Sequence, residues 1–583
     1  MCGLIGGNNP AWDYNAAVDA MRHRGPDSHQ VLPFDHFTLG FSRLAVVDTS
    51  STADQPMLSS DGRVALVFNG EIYRHRILRE SLRQTGYEFS THDSDTETVL
   101  NAYLHWGADF VDHVDGMFAI AIYDQRTEQI HLYRDRAGVK PLYYFCDGPK
   151  FAFASDLKTL QTLLTDVSLT IDNTALFDFL NHGYIPAPKS LYRNIFKLPP
   201  ATHLVFDVRQ QAVQSQNRYW ELPVCINQTI KLEEAAEHVT ELLEESVREQ
   251  IIADVPVGCF LSGGIDSSIV VSHAAKADPQ LQTFSVGFED VTHSETRFAQ
   301  IVAEQFATRH HEVTYAAQTM NAQLSQLQRL YHEPFADTSA FPTRLVSKTA
   351  RQSVTVALSG DGGDELFGGY KWYRRFEKMM RFGATRFPGP NLLLSRLESG
   401  LPTGTLCQKV TRAATWLCAD PLSLYLEVMG SASPMRQRMS AKLLGVDPDY
   451  DSAWYFRKFW RPDLPLLTRL QYLDFHTYLP DDILTKVDRA SMAHSLEVRV
   501  PFLSRKVIEF AFSLPENIRY HNGQLKGVLK YAYRKTLPDT ILQRAKKGFS
   551  APPSHLSTLK GNIRSAILQH TTDGLPVEVK KAS

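Results

Sequence analysis

Apolar positions up to Trp220 come in short runs. Residues 39–47, 64–68 and 116–123 are β-branched or aromatic and end in Asp, Asn or Gly, the pattern of strands closed by turns. Residues 71–85 and 95–106 repeat at helical spacing instead. This mixture predicts an α+β part, with sheets packed under a few helices. Glu221-Leu222-Pro223 reads as a linker. From Lys231 to Ile252 the spacing turns helical, with Leu232, Ala235, Ala236, Val239, Leu242, Leu243 and Val247 on one face. Apolar runs at 255–261, 283–288 and 354–358 then alternate with helical patterns at 266–276 and 294–306. Such alternation predicts a parallel sheet covered by helices, with ligands at the strand C-termini. Beyond residue 370 the pattern is mostly helical, and residues 576–583 read as frayed. The boundary falls near 221–230, giving parts 2–220 and 230–583.

Size and composition narrow the partners. A chain of 583 residues exceeds one ordinary core, so at least two domains are expected. With 43% hydrophobic residues, 21% charged residues and a net charge of −3, nothing electrostatic points to nucleic acid or an anionic membrane. No apolar run approaches the ~20 residues of a bilayer span. The start shows no basic stretch followed by an apolar core, so no signal peptide is expected. Cys2, Cys146, Cys225, Cys259, Cys407 and Cys418 are sparse and form no Cys-x-x-Cys. Reduced thiols in a cytoplasm are expected, without structural zinc.

The most telling single residue is the second. Removal of Met1 would place a thiol and a free α-amine on Cys2. A free thiol has a pKa of about 8.5 and an α-amine one of about 7.7–8.0. The amine can therefore accept the thiol proton, so one residue supplies both nucleophile and base. Alone, Cys2 reads more readily as an incidental small residue.

Two acidic glycine turns follow apolar runs. In Ser262-Gly263-Gly264-Ile265-Asp266-Ser267-Ser268 the glycines admit a close phosphate chain, and the following helix offers free N–H groups. Asp266 has the wrong charge for phosphate, and a magnesium ligand is its natural job. No Gly-Lys-Ser/Thr follows, so this is not a Walker sequence. In Ser359-Gly360-Asp361-Gly362-Gly363-Asp364-Glu365 a second turn would face the first across one crevice. Asp266 and Asp364 could then share one Mg²⁺. Taken blandly, Asp364-Glu365 complements a helix dipole.

In their order and length these motifs resemble the glutamine-hydrolysing asparagine synthetases of the B type, from Cys2 to near Ser550. The N-terminal part resembles class II glutamine amidotransferases and the C-terminal part the ATP-pyrophosphatase synthetases. The resemblance implies an αββα sandwich of the Ntn-hydrolase type, then an α/β domain with a parallel sheet, then a mainly helical part. It implies Cys2 as nucleophile and Asn69 with Gly70 as oxyanion hole, although Asn69-Gly70 alone reads as a hairpin turn. Arg43 would fork onto the glutamine α-carboxylate, and Glu71 and Asp95 would hold the amine and amide ends. His23-Arg24-Gly25-Pro26-Asp27 is a further family signature, read as a fixed turn, with His23 structural. The implied ATP contacts are Leu261, Ser262, Gly263, Gly264, Asp266, Ser267, Ser268, Val286, Ser359 and Gly360, with Mg²⁺ on Asp266 and Asp364. Lys546 would stabilise the adenylation transition state, although residues 544–547 alone read as a solvated basic patch. Asp361 is placed among the catalytic residues. Segments 333–339, 481–492 and 497–503 match further signatures, the first beside the synthetase pocket.

The implied substrates are glutamine, aspartate and ATP, with Mg²⁺ as cofactor, an ammonia tunnel between the parts, and a homodimer as one option for the assembly. Three rivals are carried: amidation of another carboxylate such as a sugar uronic acid, intramolecular ring closure of the β-lactam synthetase kind, and a non-enzymatic scaffold. Cys2 argues against the second, and intact Cys2, Asn69, Asp266 and Asp364 against the third.

Overall fold

The structure, a computed structural model, describes residues 2–288, 296–315, 330–383, 420–429 and 434–546. The tail at 576–583, residues 294–295 of the expected helix and residue 547 of the basic segment lie outside them.

Two antiparallel sheets build the N-terminal half. The first has the order Ile195–Lys197, Tyr143–Asp147, Lys150–Ala154, Gly3–Gly7, Thr38–Arg43, Ser28–Pro33. The second has the order Ala212–Arg218, Thr202–Asp207, Gln129–Arg134, Asp115–Asp124, Val64–Tyr73, Met57–Leu58. Alternation within the strands explains their stacking. Ala65 and Val67 join Leu4, Phe41 and Phe153 between the sheets. Val64, Leu66 and Phe68 face Leu82, Val99 and Tyr103 of the helices His75–Gln84 and Asp95–Trp106. On the first sheet's outer side, Ile5 and Ala154 meet Ala17 and Leu160 of the helices Tyr14–Ala20 and Leu157–Leu163. Four layers result, in the expected αββα order. Strands covered on both sides read as near-continuous apolar runs, and residues 116–123 do so.

The C-terminal half carries a parallel sheet in the order Arg309–Tyr315, Gln282–Phe288, Val257–Phe260, Val356–Leu358, Glu497–Arg499. Strand order reverses beside Val257–Phe260, and both glycine turns leave the sheet there. The helix Leu232–Gln250 buries Ala235, Ala236, Val239, Leu242, Leu243 and Val247, all taken from the expected stripe. Described residues beyond 370 are mainly helical. One apolar core crosses between the halves, joining Tyr73, Met117, Val139 and Ala201 to Val247, Leu484 and Phe502. Among the described residues no helix is long and apolar enough to cross a membrane.

Candidate functional site

Cys2 precedes the strand Gly3–Gly7 and is buried between the sheets. Its backbone nitrogen lies 2.8 Å from Asn69 Oδ1. Leu44 N–H points at Sγ from 3.4 Å, and Sγ stands 3.7 Å from Leu44 O. Burial pushes the thiol pKa up, so the proton needs an acceptor close at hand. Asn69 Nδ2 is buried without a hydrogen-bond partner. A buried unpaired amide donor is costly, and a developing oxyanion would satisfy it.

Asn69-Gly70 is not a turn. Both residues lie inside Val64–Tyr73, opposite Ala119 and Phe118. Gly70 has φ +152, and a Cβ there would sit 1.9 Å from Met117 O. The glycine is thus required by the close approach of the neighbouring strand. We expect Gly70→Ala to destabilise the chain by about 1–3 kcal/mol and to remove glutamate release. Thermal unfolding and a glutaminase assay check this, with ammonia-driven turnover as the control for the other half.

Arg43 is buried. Its guanidinium bonds Ser50 O at 2.7 Å, Asp54 Oδ1 at 2.6 Å and Asp48 O. Asp95 Oδ2 accepts from Ile72 N–H at 3.1 Å, and burial raises its pKa. Burial pushes Glu71 well up too, against the pull of Arg499, whose Nη2 lies 3.1 Å from Glu71 Oε1. The structure therefore brings the Glu71 carboxylate to a cation of the C-terminal half. His23 Nδ1 is 3.1 Å from Ala20 O and burial lowers its pKa, as suits a structural neutral histidine.

The second centre is a cleft of about 1060 Å³ at the point where the parallel strand order reverses. Leu261, Ser262, Gly264, Asp266, Ser267, Val286, Ser359, Gly360, Asp361, Asp364 and Lys546 line it. Gly263 and Ser268 stand outside its wall. Gly263 has φ +67 and packs on Phe298, where a Cβ would meet the backbone at 2.4 Å. Ser268 is fully buried in the helix Ile265–Ala277. The two glycine turns press together: a Cβ on Gly363 would lie 2.6 Å from Asp266 Oδ1. Ser359 Oγ donates to Asp361 Oδ2 at 2.5 Å. Of segment 333–339, Asp337, Thr338 and Ser339 reach the cleft, whereas Glu333 pairs with Lys197 at 2.6 Å.

Asp266 and Asp364 face two ammonium groups. Lys546 bonds Asp364 Oδ2, Lys526 bonds Asp266 Oδ2, and Lys526 Nζ lies 2.5 Å from Asp364 Oδ1. Burial alone would raise the Asp364 carboxyl, but the lysines hold it well below the usual range. Asp266 Oδ1 is buried with no hydrogen-bond partner. A free carboxylate oxygen in a glycine-lined cradle beside a second carboxylate suits Mg²⁺, so these residues fit the ion.

Sequence reasoning missed Lys526. Its signal was faint: a lysine in Gln524-Leu525-Lys526-Gly527, at φ +55. Nor is residue stretch 544–546 a solvated patch. Arg544 Nη1 donates to Ser262 O and Gly263 O at 3.2 and 2.9 Å, pinning the first glycine turn.

Comparison with known proteins agrees with this division of labour. Residues 1–220 match the glutamine amidotransferase domain family, and residues 238–579 match the asparagine synthase family. The chain belongs to the asparagine synthase family. It is 33% identical over 588 residues to glutamine-hydrolyzing asparagine synthetase 1 of Bacillus subtilis, covering 98% of this chain and 91% of that protein. It is 28% identical over 559 residues to glutamine-hydrolyzing asparagine synthetase 3 of the same organism, covering 92% and 83%. Among solved structures, the glutamine phosphoribosylpyrophosphate amidotransferase from B. subtilis is 13% identical with a TM-score of 0.30, covering 62% of this chain and 81% of that one, a likeness too distant to carry an argument.

Proposed function

We propose that the chain converts ATP, L-aspartate, L-glutamine and water into AMP, diphosphate, L-asparagine and L-glutamate. The observation that carries this reading is the packing of a buried second-residue cysteine pocket against a glycine-lined carboxylate–lysine cleft in one chain of this family.

Once Met1 is removed, the Cys2 amine sits against Asn69 Oδ1 and takes the thiol proton. Sγ attacks the glutamine amide carbon. Asn69 Nδ2 and the Gly70 N–H stabilise the oxyanion, each worth about 3 kcal/mol by analogy with other enzymes. Ammonia leaves, and water cleaves the thioester. Arg43 takes the substrate α-carboxylate, and Asp95 with Glu71 holds its amine and amide ends.

In the cleft, Ser262, Ser267 and the N–H groups opening the helix Ile265–Ala277 cradle the phosphates. Leu261 and Val286 cover the adenosine. Aspartate attacks the α-phosphate and expels diphosphate, giving β-aspartyl-AMP, because a free carboxylate is a poor acceptor for ammonia. Lys546 neutralises the charge that builds on the transferring group. Asp266 and Asp364 would hold Mg²⁺, whose chemistry when bound is charge neutralisation on the pyrophosphate oxygens. Ammonia attacks the β-carbonyl, AMP leaves, and the nitrogen sheds a proton, which we assign to the cleft carboxylate Asp361.

Ammonia must cross between the halves uncharged. A void of about 10 Å³ lies at their contact, lined by Val139, Leu142, Tyr143 and Leu484 but also by Arg134, Asp481 and Arg489. It has room for about one water-sized molecule, and its lining is more polar than the apolar passage expected.

The acceptor is tested by AMP formation with ammonium as the nitrogen source. Aspartate alone should support it. AMP formation with a sugar uronic acid and none with aspartate would sink the aspartate reading.

A further inference from the structure

Segments 23–27, 481–492 and 497–503 each send one residue toward the glutamine pocket: Arg24 to Cys2, Asp488 to Arg24, and Arg499 to Glu71. A chain terminus frays unless something ties it down, and a nucleophile at residue 2 cannot tolerate fraying. Asn69 holds the Cys2 nitrogen, and Arg24 holds its carbonyl, with Nε donating at 3.1 Å. Arg24 is fully buried. Its two Nη atoms donate to Asp488 Oδ2 and Oδ1 at 2.9 and 3.0 Å. Asp488 belongs to the helix Thr485–Met492 of the C-terminal half. A guanidinium held by a bidentate fork has one orientation, so Asp488 decides where Nε, and hence Cys2, stands. Gly25 completes the rigid turn, since a Cβ there would lie 2.2 Å from Ser42 O.

The second contact is a buried ion pair rather than a fork. Arg499 is buried in the strand Glu497–Arg499. Its Nη1 donates to Gln250 O and Ile252 O at 2.9 and 2.6 Å, and its Nε to Glu497 Oε1 at 2.7 Å. Its Nη2 meets Glu71, two residues beyond Asn69. Its own carbonyl accepts from Ser359 N–H at 2.8 Å, at the start of the second glycine turn. That contact is backbone to backbone, so a change of the Arg499 side chain leaves it in place while altering the contact with Glu71.

We propose that Asp488 and Arg499 are positioning residues of the glutaminase centre, Asp488 acting on Cys2 through Arg24 and Arg499 acting on Asn69–Glu71 through Glu71. The glutaminase pocket is then incomplete without the other half of the chain. This rests on the reading of Cys2 as the glutaminase nucleophile.

The test uses the full chain, comparing glutamate release from glutamine with AMP formation from ammonium, ATP and aspartate in the same preparation. Asp488→Asn should lower kcat for glutamate release by about 10²-fold, the scale of a 1 Å misplacement, with little change in KM. Arg499→Lys keeps the cation but loses the guanidinium bonds to Glu497, Gln250 and Ile252 that fix it beside Glu71. It should act mainly on the KM for glutamine, raising it about tenfold as substrate contacts slip. Both should make AMP from ammonium at the parent rate. In a double-mutant cycle, Asp488→Asn with Arg24→Gln should lose no more than the worse single change. Should Asp488→Asn not fold, Asp488→Glu takes its place, keeping the charge on a longer arm. Equal loss of both activities, losses that multiply in the cycle, or unchanged glutamate release overturns the proposal. A parent chain that releases no glutamate brings down the glutaminase reading itself, whereas an active parent with matching variants sinks only this inference.

Discussion

Cys2→Ala abolishes glutamate release while AMP and asparagine still form when ammonium replaces glutamine. The loss should be on the order of 10⁶-fold, the scale seen when a covalent nucleophile is removed. Among the described residues the hydrogen bonds of Sγ go to the backbone of Leu44, so no side chain bonded to it can replace the thiol. The fold should tolerate the change. Cys2 is one small contributor to a core that includes Leu4, Phe41, Val67 and Phe153, and alanine deletes only the sulfur. Rates with glutamine and with ammonium, measured side by side, check this. Joint loss of both in a folded chain would break the assignment of nitrogen release to the N-terminal half.

Asp364→Asn should do the reverse. It should reduce AMP formation by more than about 100-fold, since even groups one step removed from a metal cost 10- to 100-fold, and leave glutamate release intact. Two effects combine. The change removes one of two carboxylates expected to hold Mg²⁺. It also leaves Lys526 and Lys546 facing Asp266 alone. An unbalanced buried cation costs about 3–5 kcal/mol, so the synthetase half should also lose thermal stability. Raising Mg²⁺ should recover little activity, because the change leaves the lysines in place as competitors for Asp266. Full recovery at high Mg²⁺ would show that Asp364 merely tunes affinity.

Much of this was legible before the structure. The alternation of apolar runs and helical stripes located the parallel sheet and its glycine turns because both follow from local period. The helix Leu232–Gln250 buried the expected stripe apart from Leu232, which is only partly buried. Other features had no local trace. Asn69-Gly70 reads as a turn because turn chemistry is short-range, yet pairing with Asp115–Asp124 keeps it in a strand. Arg24 and Asp488 are 464 positions apart, so their fork leaves no mark on either neighbourhood. Lys526 and Arg544 look like ordinary surface cations until the glycine turns fold against them. Gly263 and Ser268 belong to the same turn as Ser262 and Asp266, but packing on Phe298 and burial in the helix turn them from the cleft. Motif reasoning named the candidate residues from local text, whereas the long-range ion pairs that support them left no local signal.

The central claim is that nitrogen released at Cys2 is consumed in the Asp266–Asp364 cleft of the same chain. The most direct measurement supplies glutamine labelled with ¹⁵N in its amide, together with aspartate, ATP, Mg²⁺ and an excess of unlabelled ammonium, and reads the label in the product. The account predicts asparagine carrying ¹⁵N, with glutamate and AMP formed in equal amounts. Asparagine carrying only unlabelled nitrogen, or glutamate and AMP accumulating independently, would contradict it.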